Sequence, residues 1–113
     1  MKRLLIVAMV ALSLAALPLA MAQVATSGKM LNVTMTSADT EYNTSLGWGI
    51  KSFTVRCRGA YDMRLAFASG ETATRYITIP SNQTYYSPPC NSAITLYFRC
   101  AEAGQIVEID YWK

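Results

Sequence analysis

The sequence predicts an all-β protein: a small antiparallel β-sandwich, immunoglobulin-like or jelly-roll-like, of six to seven short strands after a cleaved signal peptide. Three observations predict it. Apolar and polar residues alternate at period two in several short runs. Turn-forming Gly, Pro, Asn and Ser interrupt those runs about every eight to twelve residues. No run after residue 22 has the period of an amphipathic helix.

The chain opens with Met1-Lys2-Arg3, an apolar run over 4–17, Pro18 and the small-residue site Ala20-Met21-Ala22. A basic start, an apolar middle and a small-x-small site are the parts of a secretory signal peptide. A membrane-spanning helix needs about 20 apolar residues, more than this run supplies. Residues 1–22 are therefore expected to be the signal and 23–113 one domain, secreted to a periplasmic or extracellular space with no remaining membrane span. Lys2 and Arg3 leave with the signal. Of ten basic and seven acidic residues, a balance of +1 remains, and no nucleic-acid partner is expected. All twelve aromatic residues stay, enough for a modest core.

In chain order, residues 23–29 read as a loose polar arm and 30–36 as a first, edge strand. Residues 37–49, rich in Ser, Asp, Asn and Gly, read as a long loop packed down by Tyr42, Leu46 and Trp48. Over 50–58, Phe53, Val55 and Cys57 point one way and Thr54, Arg56 and Arg58 the other. Over 61–67, Tyr61, Met63, Leu65 and Phe67 share a face. A short strand over 75–79 stops at Pro80, which cannot donate to a ladder. Residues 84–86 form one more.

The strongest pattern is 93–112. Ile94, Leu96, Phe98 and Cys100 alternate with Thr95, Tyr97 and Arg99; Val107, Ile109 and Tyr111 alternate with Glu108, Asp110 and Trp112. This reads as a hairpin with one core face. A four-residue loop over 101–104 pairs 98 with 107, 96 with 109 and 94 with 111, placing Tyr97 opposite Glu108 and Thr95 opposite Asp110. A two-residue turn at Ala103-Gly104 keeps the faces but shifts the partners.

The run YITIPSNQTYYSPP, followed by ITLYFRCAEAGQIVEIDYW, resembles the C-terminal half of small bacteriophage virion proteins. Those combine an IPxGxxY-like turn with a final LYxxxxxAGxVVEIxxW-like hairpin; here Asn82 stands in place of the turn glycine. The resemblance implies a small β-sandwich used as a non-enzymatic surface or assembly module.

The sequence contains no histidine, which removes the commonest general base and metal ligand. Glu108 and Asp110 share a strand face and read as solvated surface charge near arginines. Asp39, Glu41, Asp62, Glu71 and Glu102 lack calcium-loop spacing. The expectation is a non-enzyme without cofactor or metal.

Cys57, Cys90 and Cys100 form an odd set in a chain bound for an oxidising space. Cys90 and Cys100 sit near opposite ends of one strand, about 3.3 Å per residue apart, so any internal bridge includes Cys57. Cys57–Cys100 is preferred over Cys57–Cys90, because both members lie at core-facing strand ends; Cys90 is then a free thiol. The plainer alternative is three small buried hydrophobes.

Arg56, Arg58, Arg64, Arg75 and Arg99, with Tyr97 among them, read either as a solubilising sheet face or as a surface gripping anionic sugars or a protein. The candidate binding surface is Trp48, Arg56, Arg58, Tyr85, Tyr86, Tyr97, Arg99 and Trp112. Asn32, Asn43 and Asn82 each open a glycosylation tripeptide. The expected function is a secreted structural or surface-assembly module, virion-like or cell-surface, whose partner is itself or another surface protein. The alternative is a module binding a carbohydrate or receptor through exposed aromatics and arginines.

Overall fold

Eight strands form two four-stranded antiparallel sheets. They are β1 (Gly28–Met35), β2 (Tyr42–Ile50), β3 (Ser52–Cys57), β4 (Met63–Ala66), β5 (Ile77–Ile79), β6 (Thr84–Tyr86), β7 (Ser92–Cys100) and β8 (Gln105–Trp112). The structure is a computed structural model that describes residues 28–113, so the expected signal peptide over 1–22 lies outside the described residues. The first sheet runs β1-β8-β3-β6 and the second β2-β7-β4-β5. Of the seven connections, only β4–β5 stays within one sheet. This crossing path is that of the jelly roll, not of the immunoglobulin fold.

The expected hairpin over 93–112 is not formed. β7 pairs with β2 and β4, whereas β8 pairs with β1 and β3 in the opposite sheet. The two strands face each other across the core. Their buried faces are nonetheless those of the alternation, with Leu96, Phe98, Cys100, Val107 and Ile109 all inside. Period-two alternation records which face a strand buries, and that face is the same whether its chain neighbour lies beside it or across from it. Glu108 consequently stands opposite Arg56, not Tyr97, and Asp110 opposite Thr54, not Thr95. The tight 101–104 arch is tied to the β1–β2 connection, with Asp39 N–H donating to Cys100 O at 2.9 Å and Gly104 N–H to Met35 O at 2.8 Å.

The second departure is β2, which occupies most of the expected loop over 37–49. Its ladder with β7 shifts register between Ser45 and Gly47 and again between Gly47 and Ile50. Gly47 and Gly49 have φ of 84° and 70°, a left-handed backbone that glycine adopts without strain. These bulges break the alternation and hide the strand. With β2 the count becomes eight. Elsewhere the expected segments shorten: 50–58 divides at Lys51, 61–67 contracts to β4, and β5 begins at Ile77 and ends before Pro80. Asn82 takes φ 63° in its turn, a left-handed conformation for which glycine or asparagine is suited.

Phe53, Val55, Val107 and Ile109 from the first sheet meet Leu46, Met63, Leu65, Leu96 and Phe98 from the second in one core. Outward positions on both sheets remain available as surfaces.

Candidate functional site

Pairing aligns the outward residues of the first sheet into rows. One row runs Met30, Asp110, Thr54, Tyr86 across β1, β8, β3 and β6; the next runs Asn32, Glu108, Arg56, Thr84. Together with Trp112 these rows, apart from Asn32, line a surface groove of about 460 Å³. Its floor is polar and its two margins are apolar: Met30 is 82 % exposed and Tyr86 73 %. Glu108 Oε1 accepts from Arg56 Nη2 and Arg58 Nε, each at 3.3 Å. An exposed bridge of this kind contributes little stability, but it gathers two guanidiniums onto one carboxylate, that of Arg56 in the groove and that of Arg58 beside it.

The second sheet presents Tyr97 and Arg99 on its outer face. Arg99 stands directly opposite Arg64. The Arg64 guanidinium lies over the Tyr76 ring at 4.3 Å and donates to Thr72 O at 3.3 Å. A cleft of about 250 Å³ opens there, lined also by Asp39, Asp62 and Thr78. Glu41 flanks this region. Its carboxyl is held below its ordinary value mainly by the Thr72 hydroxyl and then by Gly70 N–H.

The arginine and aromatic residues expected to form one surface therefore divide. Arg56, Arg58, Tyr86 and Trp112 belong to the first sheet's outer face, and Tyr97 and Arg99 to the second's. Trp48 stands on the bulged edge strand β2, 81 % exposed. Tyr85 turns the other way, its ring 6.0 Å from that of Phe53 and 6.4 Å from that of Phe67. The reason is topological: strands adjacent in sequence belong to opposite sheets, so outward positions point to opposite sides. Met30, Thr54 and Asp110 were not among the residues expected to form the binding surface. The signal for Met30 is a large apolar side chain at an outward strand position.

Cys57, Cys90 and Cys100 are free thiols in this structure, so the expected Cys57–Cys100 bridge is not formed in it. β3 and β7 do end at the same end of the sandwich, since a short connection leads from Cys57 to Met63, the first residue of β4, which pairs with Cys100. The Cys100 thiol is directed at Asp62 O, 3.4 Å away. Burial pushes the Cys57 thiol above its ordinary range. Cys90 lies at the opposite end, its Sγ 3.2 Å from Ile50 O. Among the described residues no three His, Cys, Asp or Glu side chains group as metal ligands.

No protein-family model matches the chain, and no curated protein matches it in sequence. Its fold is similar to a chain of the acidic stable capsid of Helicobacter pylori bacteriophage KHP30, with TM-score 0.51 and 12 % identity over 79 % of this chain and 90 % of that one. It is likewise similar to the SPBc2 prophage-derived protein YomS, with TM-score 0.50 and 12 % identity over 80 % of this chain and 98 % of that one. A de novo designed double-stranded β-helix has TM-score 0.48 and 11 % identity, over 78 % of this chain and all of the designed one. At such identities the likeness shows the fold alone. The class is an all-β sandwich of two antiparallel sheets, and phage capsid and prophage chains are among the structures that share it.

Proposed function

We propose that this protein is a secreted, non-catalytic structural module that assembles through the outer face of its first sheet. One observation carries the reading: Met30 and Tyr86, on the two edge strands of that sheet, end a single cross-strand row and are among the most exposed large apolar side chains described. Apolar posts around a polar, hydrogen-bonding floor suit a protein contact, in which aromatic anchors contribute most of the affinity. The phage-derived structures of similar fold are compatible with that use.

Light scattering on size-exclusion-separated chain 23–113 tests it. The expected result is a concentration-dependent oligomer that Met30→Asp with Tyr86→Asp converts to monomer. A monomer at every concentration, with no co-purifying surface partner, overturns it.

A second reading has its own support. Tyr86 and Trp112 border Asp110, Thr54 and Arg56 in the groove, an arrangement of aromatic faces beside polar groups that suits a sugar ring. A glycan array separates the two: retention of a glycan by the monomer, lost in Tyr86→Ala, favours this alternative.

A further inference from the structure

One end of the sandwich differs chemically from the other. β1 starts there with Gly28 paired to Trp112, which pairs in turn with Ser52 at the start of β3. β2 ends and β7 begins at the same end, with Ile50 opposite Ser92 and Lys51 N–H donating to Trp112 O at 2.8 Å. Every lysine among the described residues (Lys29, Lys51 and Lys113) lies at or next to this end, and so do both tryptophans. The three lysines are exposed. The ion pairs among the described residues belong to Arg56 and Arg58, so none of these three lysines is paired with a carboxylate of a described residue. Asp110, two positions inside on β8, is the nearest acid along these strands. Asp39, Asp62 and Glu102 belong to the opposite end, around Cys100.

Trp48 is presented at this end by the backbone itself. It has the same parity as buried Leu46 and Ile50, yet the left-handed glycines on either side turn it out to 81 % exposure. A Cβ on Gly47 would lie 3.2 Å from Lys113 Nζ, so an ammonium group stands against the backbone next to Trp48. Tryptophan with unpaired lysines is the composition of a bilayer interface: the indole settles at headgroup depth while the ammonium groups meet anionic lipid.

We propose that this end docks on a membrane surface through anionic phospholipid headgroups, with Trp48 as the interfacial anchor and Lys29, Lys51 and Lys113 as the charge contacts. The surface lies end-on to the sheets and does not rest on the assembly reading, which uses a sheet face.

Vesicle co-sedimentation tests it with chain 23–113, which contains all eight strands and the whole described core. Vesicles of phosphatidylcholine containing phosphatidylglycerol are expected to retain the protein, less so as salt rises, with a blue shift of tryptophan emission. Replacing the three lysines with glutamine is expected to lower partitioning on the order of a hundredfold, about fivefold for each charge. Trp48→Ala removes the emission shift and weakens retention. Arg56→Gln with Arg58→Gln, on the sheet face, leaves retention unchanged. All these positions are outside the core, and an unchanged urea midpoint confirms that each variant is folded. Absence of retention, equal retention by phosphatidylcholine alone, or an equal loss in the arginine variant overturns the proposal. So does a change in oligomer size, without a change in vesicle binding, in the lysine variant; the end is then a protein contact.

Discussion

Glu41 Oε1 accepts a hydrogen bond of 2.6 Å from the hydroxyl of Thr72, a fully buried polar side chain. The same carboxylate accepts from Gly70 N–H at 3.0 Å, so a residue just before β2 clamps the turn that follows β4. Thr72→Val removes the donor without changing the volume and is expected to cost about 1–3 kcal/mol in a denaturant titration. Because Glu41 titrates below its ordinary value of 4.5, the clamp's contribution is complete above that value and is lost as pH falls through the lower, folded one. Glu41→Gln should flatten this acid limb; an unchanged acid midpoint would show that the clamp carries no stability.

Phe98 is completely buried in the second half of β7, whereas Thr95 faces outward on the same strand. Phe98→Ala is expected to cost about 3–5 kcal/mol and Thr95→Ala less than about 1 kcal/mol. Equal shifts in urea midpoint would mean that the facing of β7 is misassigned.

Gly49 has open space where a side chain would go, but its φ is 70°. Gly49→Ala therefore measures backbone conformation without a steric clash, with an expected loss of about 1–2 kcal/mol. Gly49→Asn, which tolerates the left-handed region, should recover part of it. If alanine costs nothing, the bulge that displays Trp48 is not fixed by the backbone.

The cysteines give a prediction on labelling and linkage. Half-buried Cys90 should react with a maleimide before buried Cys57 and Cys100 in the native state. If oxidation closes any internal bridge, it joins Cys57 and Cys100, whose strands end together; Cys90 lies at the far end of the nine-residue β7. Peptide mapping without reduction that finds Cys90 in an internal bridge would contradict the strand order. The raised Cys57 thiol adds stability that is complete below the ordinary thiol value and is lost as pH rises through the folded one.

The inward faces were legible because burial writes itself into alternation: Phe53, Val55, Leu96, Phe98, Val107 and Ile109 can each be assigned a side from the sequence. Partnership was not. β7 and β8 carry the same signal in a hairpin as in two facing sheets, and only contacts distant in sequence, such as Val33 opposite Val107, distinguish them. β2 was illegible for a different reason, since Gly47 and Gly49 displace the very periodicity by which a strand is recognised. The candidate surfaces were legible residue by residue, as with Tyr86 and Arg56, but their grouping depends on which sheet each strand joins.

The strand order also sets a schedule. β8 lies between β1 and β3, and β7 between β2 and β4, so the inner strands that complete both sheets are the last two to be synthesised. A chain lacking them holds only two adjacent paired segments in the first sheet, β3 with β6, and two in the second, β4 with β5. Pairings so remote in sequence form slowly, and an incomplete chain exposes unpaired edges. Such a protein reaches its final shape only after β8 has been delivered, whether from the ribosome or through a membrane, and a chain stopped short of Gln105 has no first sheet to close.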